Sequence, residues 1–152
     1  MRLARAWIEA RIPHRGRMCL LDEVLDWDAQ RIRCRSGTHR RADHPLRAHG
    51  RLGAACGIEY AAQAMAVHGA LVAGPEATTA RTGLLASVRG VRLDVARLDD
   101  IGGDLICEAT RVAGSEDLVV YEFRVLADQI DGAVLLSGRA TIAFPNSTAV
   151  NA

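Results

Sequence analysis

The chain has 152 residues, 49% of them apolar and 24% charged, with 19 basic against 18 acidic side chains and a formal charge of +1. That length suits one domain whose core needs no disulfide or metal staple, and the near-zero charge leaves no electrostatic footprint for nucleic acid. The basic residues other than histidine are all arginine, which suits phosphate contacts and so leaves room for a phosphorylated partner.

The opening MRLARAWIEARIPHRGR lacks the long apolar core of a signal peptide. Within it, Ala4 to Ala10 reads as a short helix ending before Pro13. Met18 to Val24 is an apolar run suited to a strand, Asp26 to Gln30 a polar turn, and Arg31 to Thr38 a second strand with Ile32 and Cys34 on one face. Residues 39 to 53 mix histidine, arginine, proline and glycine without periodicity. A loop of that length in a small domain is a place to look for function. Ala54 to Ala73 is small or apolar around its circumference, the pattern of a helix buried on all sides, with Gly74 and Pro75 to end it. Glu59, Gln63 and His68 interrupt it, so it is no membrane span.

Strands follow: Leu84 to Leu98 with a bulge near Gly90, Leu105 to Val112, Leu118 to Leu126, and Val134 to Phe144. Val119, Tyr121, Phe123 and Val125 share one face of the third; Leu136, Gly138, Ala140 and Ile142 share one face of the fourth. DDIGGD, AGSED and ADQIDG between them are turn chemistry. A hairpin, a buried helix and an antiparallel meander make an α+β order. We expect one domain over residues 1–145 and a frayed tail over 146–152.

The cysteines, Cys19, Cys34, Cys56 and Cys107, have neither zinc spacing nor the density of a secreted framework. They read as reduced thiols of a cytoplasmic protein. Glu59 is the only acidic residue of the long helix. Burial would raise its pKa and make it a proton donor near neutral pH. The alternatives are a carboxylate paired with a buried arginine and one lying where the helix meets solvent. Gln63, one turn on, either orients that carboxyl group or only satisfies itself. His39, His44 and His49 precede the helix; none forms a helical metal pair, and one of them is a candidate base opposite Glu59. His14 and His68 are weaker candidates, His68 as a core histidine.

Three segments carry a resemblance: IPHRGRMCLLDEV (12–24), GIEYAAQAMAVHG (57–69) and LASVRGVRLDVARLDDIGGDL (85–105). Together they resemble the 3-hydroxyacyl-[acyl-carrier-protein] dehydratases of the FabA/FabZ type, and more closely the dehydratase-like proteins of aryl-polyene and xanthomonadin pigment clusters. The resemblance implies a hotdog fold, one long central helix wrapped by an antiparallel β-sheet. It implies a dimer, homomeric or with another hotdog protein, whose sites lie at the subunit interface. It also implies acyl carrier protein as partner, with the substrate on its phosphopantetheine, and no other cofactor or metal. In that scheme Glu59 is the acid and His44, or alternatively His49, the base, with Gln63 beside them. Ala54, Ala55 and Gly57 at the helix start hold the thioester, and Ala61, Ala62 and Met65 flank the acyl chain. Two departures stand out. His44 lies one residue farther from Glu59 than the family spacing, and Ala54 replaces a glycine whose N–H meets the substrate. Arg40, Arg41, Arg47, Arg51 and Arg89 are the expected carrier-docking charges, and the edge near Arg89 to Leu93 the expected two-fold contact. A hotdog thioesterase, and a non-catalytic or half-catalytic subunit of an active partner, are the competing functions.

Overall fold

A computed structural model describes residues 2–74, 83–129 and 132–145. The expected tail and Pro75 lie outside them. The elements are β1 (Leu3–Ala4), α1 (Arg5–Glu9), β2 (Glu23–Trp27), β3 (Arg31–Ser36), α2 (Gly57–Ala73), β4 (Leu84–Leu93), β5 (Leu105–Gly114), β6 (Leu118–Ala127) and β7 (Val134–Ala143). Short 3-10 turns precede β2, follow β3, and lead into α2 at Ala54–Cys56. Seven antiparallel strands run in the order β1-β2-β3-β5-β6-β7-β4 around the long helix. This is the hotdog arrangement.

Period-two alternation sets the inner face of the sheet. Val119, Tyr121, Phe123 and Val125 of β6, with Leu136, Ala140 and Ile142 of β7, are buried against α2. The helix buries Tyr60, Ala61, Ala64, Met65 and Val67 in return. Each large apolar side chain so buried contributes about 1.5–3 kcal/mol. Gly57 lets the helix start touch the sheet, since a Cβ there would lie 2.5 Å from Leu136 Cδ2. Gly90, at φ +59, sits in the β4 bulge between Arg89 and Arg92.

Three expectations change, the first being the strand expected over Leu84 to Leu98, which ends at Leu93 because the chain turns off the sheet edge there. Met18 to Val24 is not a strand: a 3-10 turn covers Gly16–Met18, and β2 begins only at Glu23. The apolar run is there because Leu20 and Leu21 are buried. Its main chain is satisfied by side chains instead of a ladder. Gln63 Oε1 accepts the Leu20 N–H (2.9 Å), Thr38 Oγ1 donates to the Leu20 carbonyl (2.9 Å), and Arg5 donates to the Cys19 carbonyl (2.6 Å). Residues 10–22 therefore form a strap across one end of α2. Nor is α2 buried on all sides: Ala66, Val72 and Ala73 are exposed, and Glu59, Ala62 and Ala70 half-buried. Those positions recur every three or four residues and make one open face.

β4 is an edge strand, and Leu84, Leu85, Val91 and Leu93 on it are exposed. An apolar unpaired edge invites a second chain. No helix of the described residues is long and apolar enough to cross a membrane.

The close approach of α2 to β7 is testable. Gly57→Val should destabilise the fold by about 1–3 kcal/mol, the usual cost of overpacking, and adding Leu136→Ala should recover part of it. Urea unfolding of the single and double variants measures both.

Candidate active site

Glu59 stands in the first turn of α2, on the open face. About a third of its side chain (34%) is exposed, so the burial expected of it is not provided within this chain. Among the described residues it has no arginine partner, whereas the buried Glu108 meets Arg31, Arg33 and Arg124 on the outer face of the sheet. The imidazole beside Glu59 is His14, with Nε2 3.0 Å from Oε1. Gln63 donates to the same oxygen from one helical turn away (3.4 Å). Oε2 has no hydrogen-bond partner among the described residues.

Gln63 does both things expected of it as alternatives. It is fully buried, donates to the Met18 carbonyl (2.8 Å), accepts the Leu20 N–H, and reaches Glu59. Its oxygen and both its N–H bonds are used, which fixes the orientation of the amide.

The histidines of the long loop separate. His39 is buried, with Nε2 2.9 Å from the Ile101 carbonyl. His49 is exposed at φ +55, followed by Gly50 at φ +77, in a tight turn between Ala48 and Arg51. His44 is buried and stacked on Tyr60. Leu46 N–H donates to its Nδ1 (3.1 Å), so Nε2 carries the hydrogen and donates to the Tyr60 hydroxyl (2.9 Å), which in turn donates to Thr38 Oγ1 (2.7 Å). Both nitrogens of His44 are thus occupied inside the chain, and its one lone pair is taken. His68 is a core histidine, bridging the Tyr121 hydroxyl and the Asp28 carbonyl at 2.8 Å each.

At the helix start the Ala54 N–H is already spent on the Ala96 carbonyl (3.1 Å). The N–H without a partner among the described residues belongs to Ala55, which is exposed. A free N–H in the first turn of a helix is suited to an oxyanion. Gly57 is buried against Leu136 and serves packing.

A cavity of about 770 Å³ runs along the open face of α2, within the range of small-molecule sites. Glu59 and His14 line one end; Ala62, Met65, Ala66 and Ala70 line its length. Ala61 points into the core instead. From Glu59 to Ala73 the helix rises about 21 Å, so the groove is long, with small apolar side chains along the helix, Arg111 and Glu116 among its other lining residues, and Glu59 at one end.

His14, a weaker candidate by sequence, is the imidazole that lies against Glu59. The signal available was the PHR of residues 13–15, but 45 positions separate His14 from Glu59 and no spacing rule connects them.

Residues 6–151 match the model of the ApeP-like family, described as ApeP dehydratase. A chain of the dehydratase heterocomplex ApeI:P from Xenorhabdus doucetiae is 23% identical, covers 95% of this chain and 94% of its own, and superposes with a TM-score of 0.79. Zebrafish thioesterase superfamily member 2 is 14% identical over 93% of this chain and 95% of its own (TM-score 0.62). A thioesterase from Haemophilus influenzae is 13% identical over 82% and 78% (TM-score 0.57). At such identities the structural likenesses establish the fold alone. No curated protein matches the sequence.

The buried histidines make stability depend on pH. Desolvation lowers the pKa of His39, His44 and His68 below the ordinary 6.5. A group lowered in this way is protonated more readily in the unfolded chain. Its contribution is full above 6.5 and is lost as the pH falls from there through the folded value. The melting temperature should therefore fall between about pH 7 and about pH 5. His68→Gln, which keeps one acceptor and one donor, should flatten that slope.

Proposed function

Because the chain belongs to the ApeP-like dehydratase family, we propose that it eliminates water from a 3-hydroxyacyl thioester carried on the phosphopantetheine of acyl carrier protein, giving the trans-2-enoyl thioester. The pathway would be fatty-acid-like or aryl-polyene pigment biosynthesis in the cytoplasm. The observation that carries this reading is Glu59, the one acidic side chain of α2, with a carboxyl oxygen that has no partner among the described residues, at the end of a long cavity that runs along the helix.

In the proposed reaction a base takes the proton next to the thioester carbonyl. The developing oxyanion meets a helix-terminal N–H, and here Ala55 offers the unspent one. Glu59 Oε2 gives its proton to the hydroxyl as the C–O bond breaks, and water leaves. The acyl chain lies along Ala62, Met65, Ala66 and Ala70. No organic cofactor or metal takes part in this scheme.

The base is where a second subunit enters. His44 is the expected base, and to act as one it must release the Leu46 N–H from Nδ1. That favours a half-catalytic arrangement in which this chain brings the acid and a hotdog partner brings the base. The Xenorhabdus doucetiae relative is described as a heterocomplex, and the exposed apolar residues of β4 offer a surface for such a partner or for a second copy. For carrier docking, Arg41, Arg47 and Arg51 are not paired with a carboxylate among the described residues, whereas Arg40 is engaged by Asp104 (3.1 Å). The first three, with Arg89, are the side chains we assign to the acidic carrier surface. The thioesterase reading has only fold likeness behind it.

Glu59→Gln should fold normally and lose about a hundredfold or more of the rate, a general-acid contribution. Unchanged turnover would remove Glu59 from the mechanism. His44→Ala and His49→Ala, assayed alone and with the hotdog partner, identify the base; full activity of both with the partner places it on the partner chain. In light scattering the protein should be a dimer, and a monomer at micromolar concentration would contradict the shared site.

A further inference from the structure

The strap over α2 brings one imidazole to the acid, and nothing in the elimination scheme above uses it. We propose that His14 positions the Glu59 carboxyl group, so that the acid of this site is a pair carried wholly by one chain. The inference rests on the reading of Glu59 as the acid and adds the residue that aims it.

Two side chains converge on one oxygen, Gln63 as a hydrogen-bond donor and His14 as an imidazole in ion-pair reach. Gln63 must present its nitrogen to Oε1, because its own oxygen is committed to Leu20 N–H. His14 Nε2 stands 3.0 Å from the same Oε1. With both beside it, Oε1 is the accepting oxygen, and a proton on the carboxyl group sits on Oε2, the oxygen without a partner among the described residues. That is the arrangement an acid needs: one oxygen anchored, the other turned to substrate. When Oε2 gives up its proton to the departing hydroxyl, the charge left on the carboxylate is already met at Oε1 by the Gln63 N–H and the adjacent imidazole, with little reorganisation at that moment.

His14 is held as a positioning residue should be. The Arg15 guanidinium donates to the carbonyls of Glu9, Ile12 and His14, which closes the turn around the imidazole. Arg5 fastens the next stretch through the Gly16 and Cys19 carbonyls (2.9 and 2.6 Å). The imidazole also carries a cost that needs a reason. Its Nδ1 is buried without a hydrogen-bond partner among the described residues, which leaves the desolvation of that atom uncompensated. An apolar side chain would avoid it. What the imidazole gains in exchange is on Nε2, at Glu59.

The test compares three variants in the assembly in which the wild type turns over. His14→Ala should lower kcat about ten- to a hundredfold with KM nearly unchanged, since misaiming a reacting group acts on the chemical step. His14→Phe keeps the ring volume, so the strap stays packed, and should show the same loss of kcat. His14→Gln can return an N–H to the position of Nε2 and should recover most of it. Unchanged kcat in the Ala and Phe variants, a rise in KM alone, or a Gln variant no better than Phe would overturn the assignment. If Glu59→Gln also keeps full activity, the fault lies with the acid and not with His14.

Discussion

One buried amide connects the fold to the chemistry. Gln63 on α2 accepts from Leu20 N–H and donates to the Met18 carbonyl and to Glu59. Removing it would leave the buried Leu20 N–H and the partly buried Met18 carbonyl of the strap unpaired, at a cost of about 1–3 kcal/mol for the buried group. The strap in turn carries His14 to the carboxyl group. The position of the acid therefore depends on a bond that also decides where residues 10–22 lie. Sites built on rigid elements and supported by neighbouring hydrogen bonds hold their geometry best, and here the helix and the strap are joined at the residue next to the acid.

The fold was largely legible because it is written in periodicity. Val119 through Val125 and Leu136 through Ile142 alternate as strands that bury one face, and they do so. The dense run from Ala54 to Ala73 announced the central helix, and Gly90 the bulge. The Met18 to Val24 segment was misread as a strand for a physical reason. Its burial is strand-like, but its hydrogen bonds go to the side chains of Gln63, Thr38 and Arg5, and no local pattern reveals such distant partners. The open face of α2 was hidden in the same way, because alanine is equally at home in a core and along a ligand groove.

The site was half legible. Glu59 stood out as an isolated acid on an apolar helix, whatever the surrounding fold. Its company could not be read from spacing. His44 and His49 are nearer in sequence, yet one is locked beneath Tyr60 and the other stands exposed in a turn. His14, far away in the chain, lies in contact. The open apolar face of α2 and the exposed β4 edge are both features that a second hotdog subunit would cover. In the proposed arrangement the acid would come with its own supporting residues, and the partner would bring the base and close the cavity against water.

The most direct test of this account is mass spectrometry of the carrier-bound acyl group after the protein, with its hotdog partner, has turned over a 3-hydroxyacyl carrier protein. The account predicts an acyl group lighter by one water and still attached as the thioester. Release of the free 3-hydroxy acid with an emptied carrier, or a 3-hydroxyacyl group left unchanged, would contradict it.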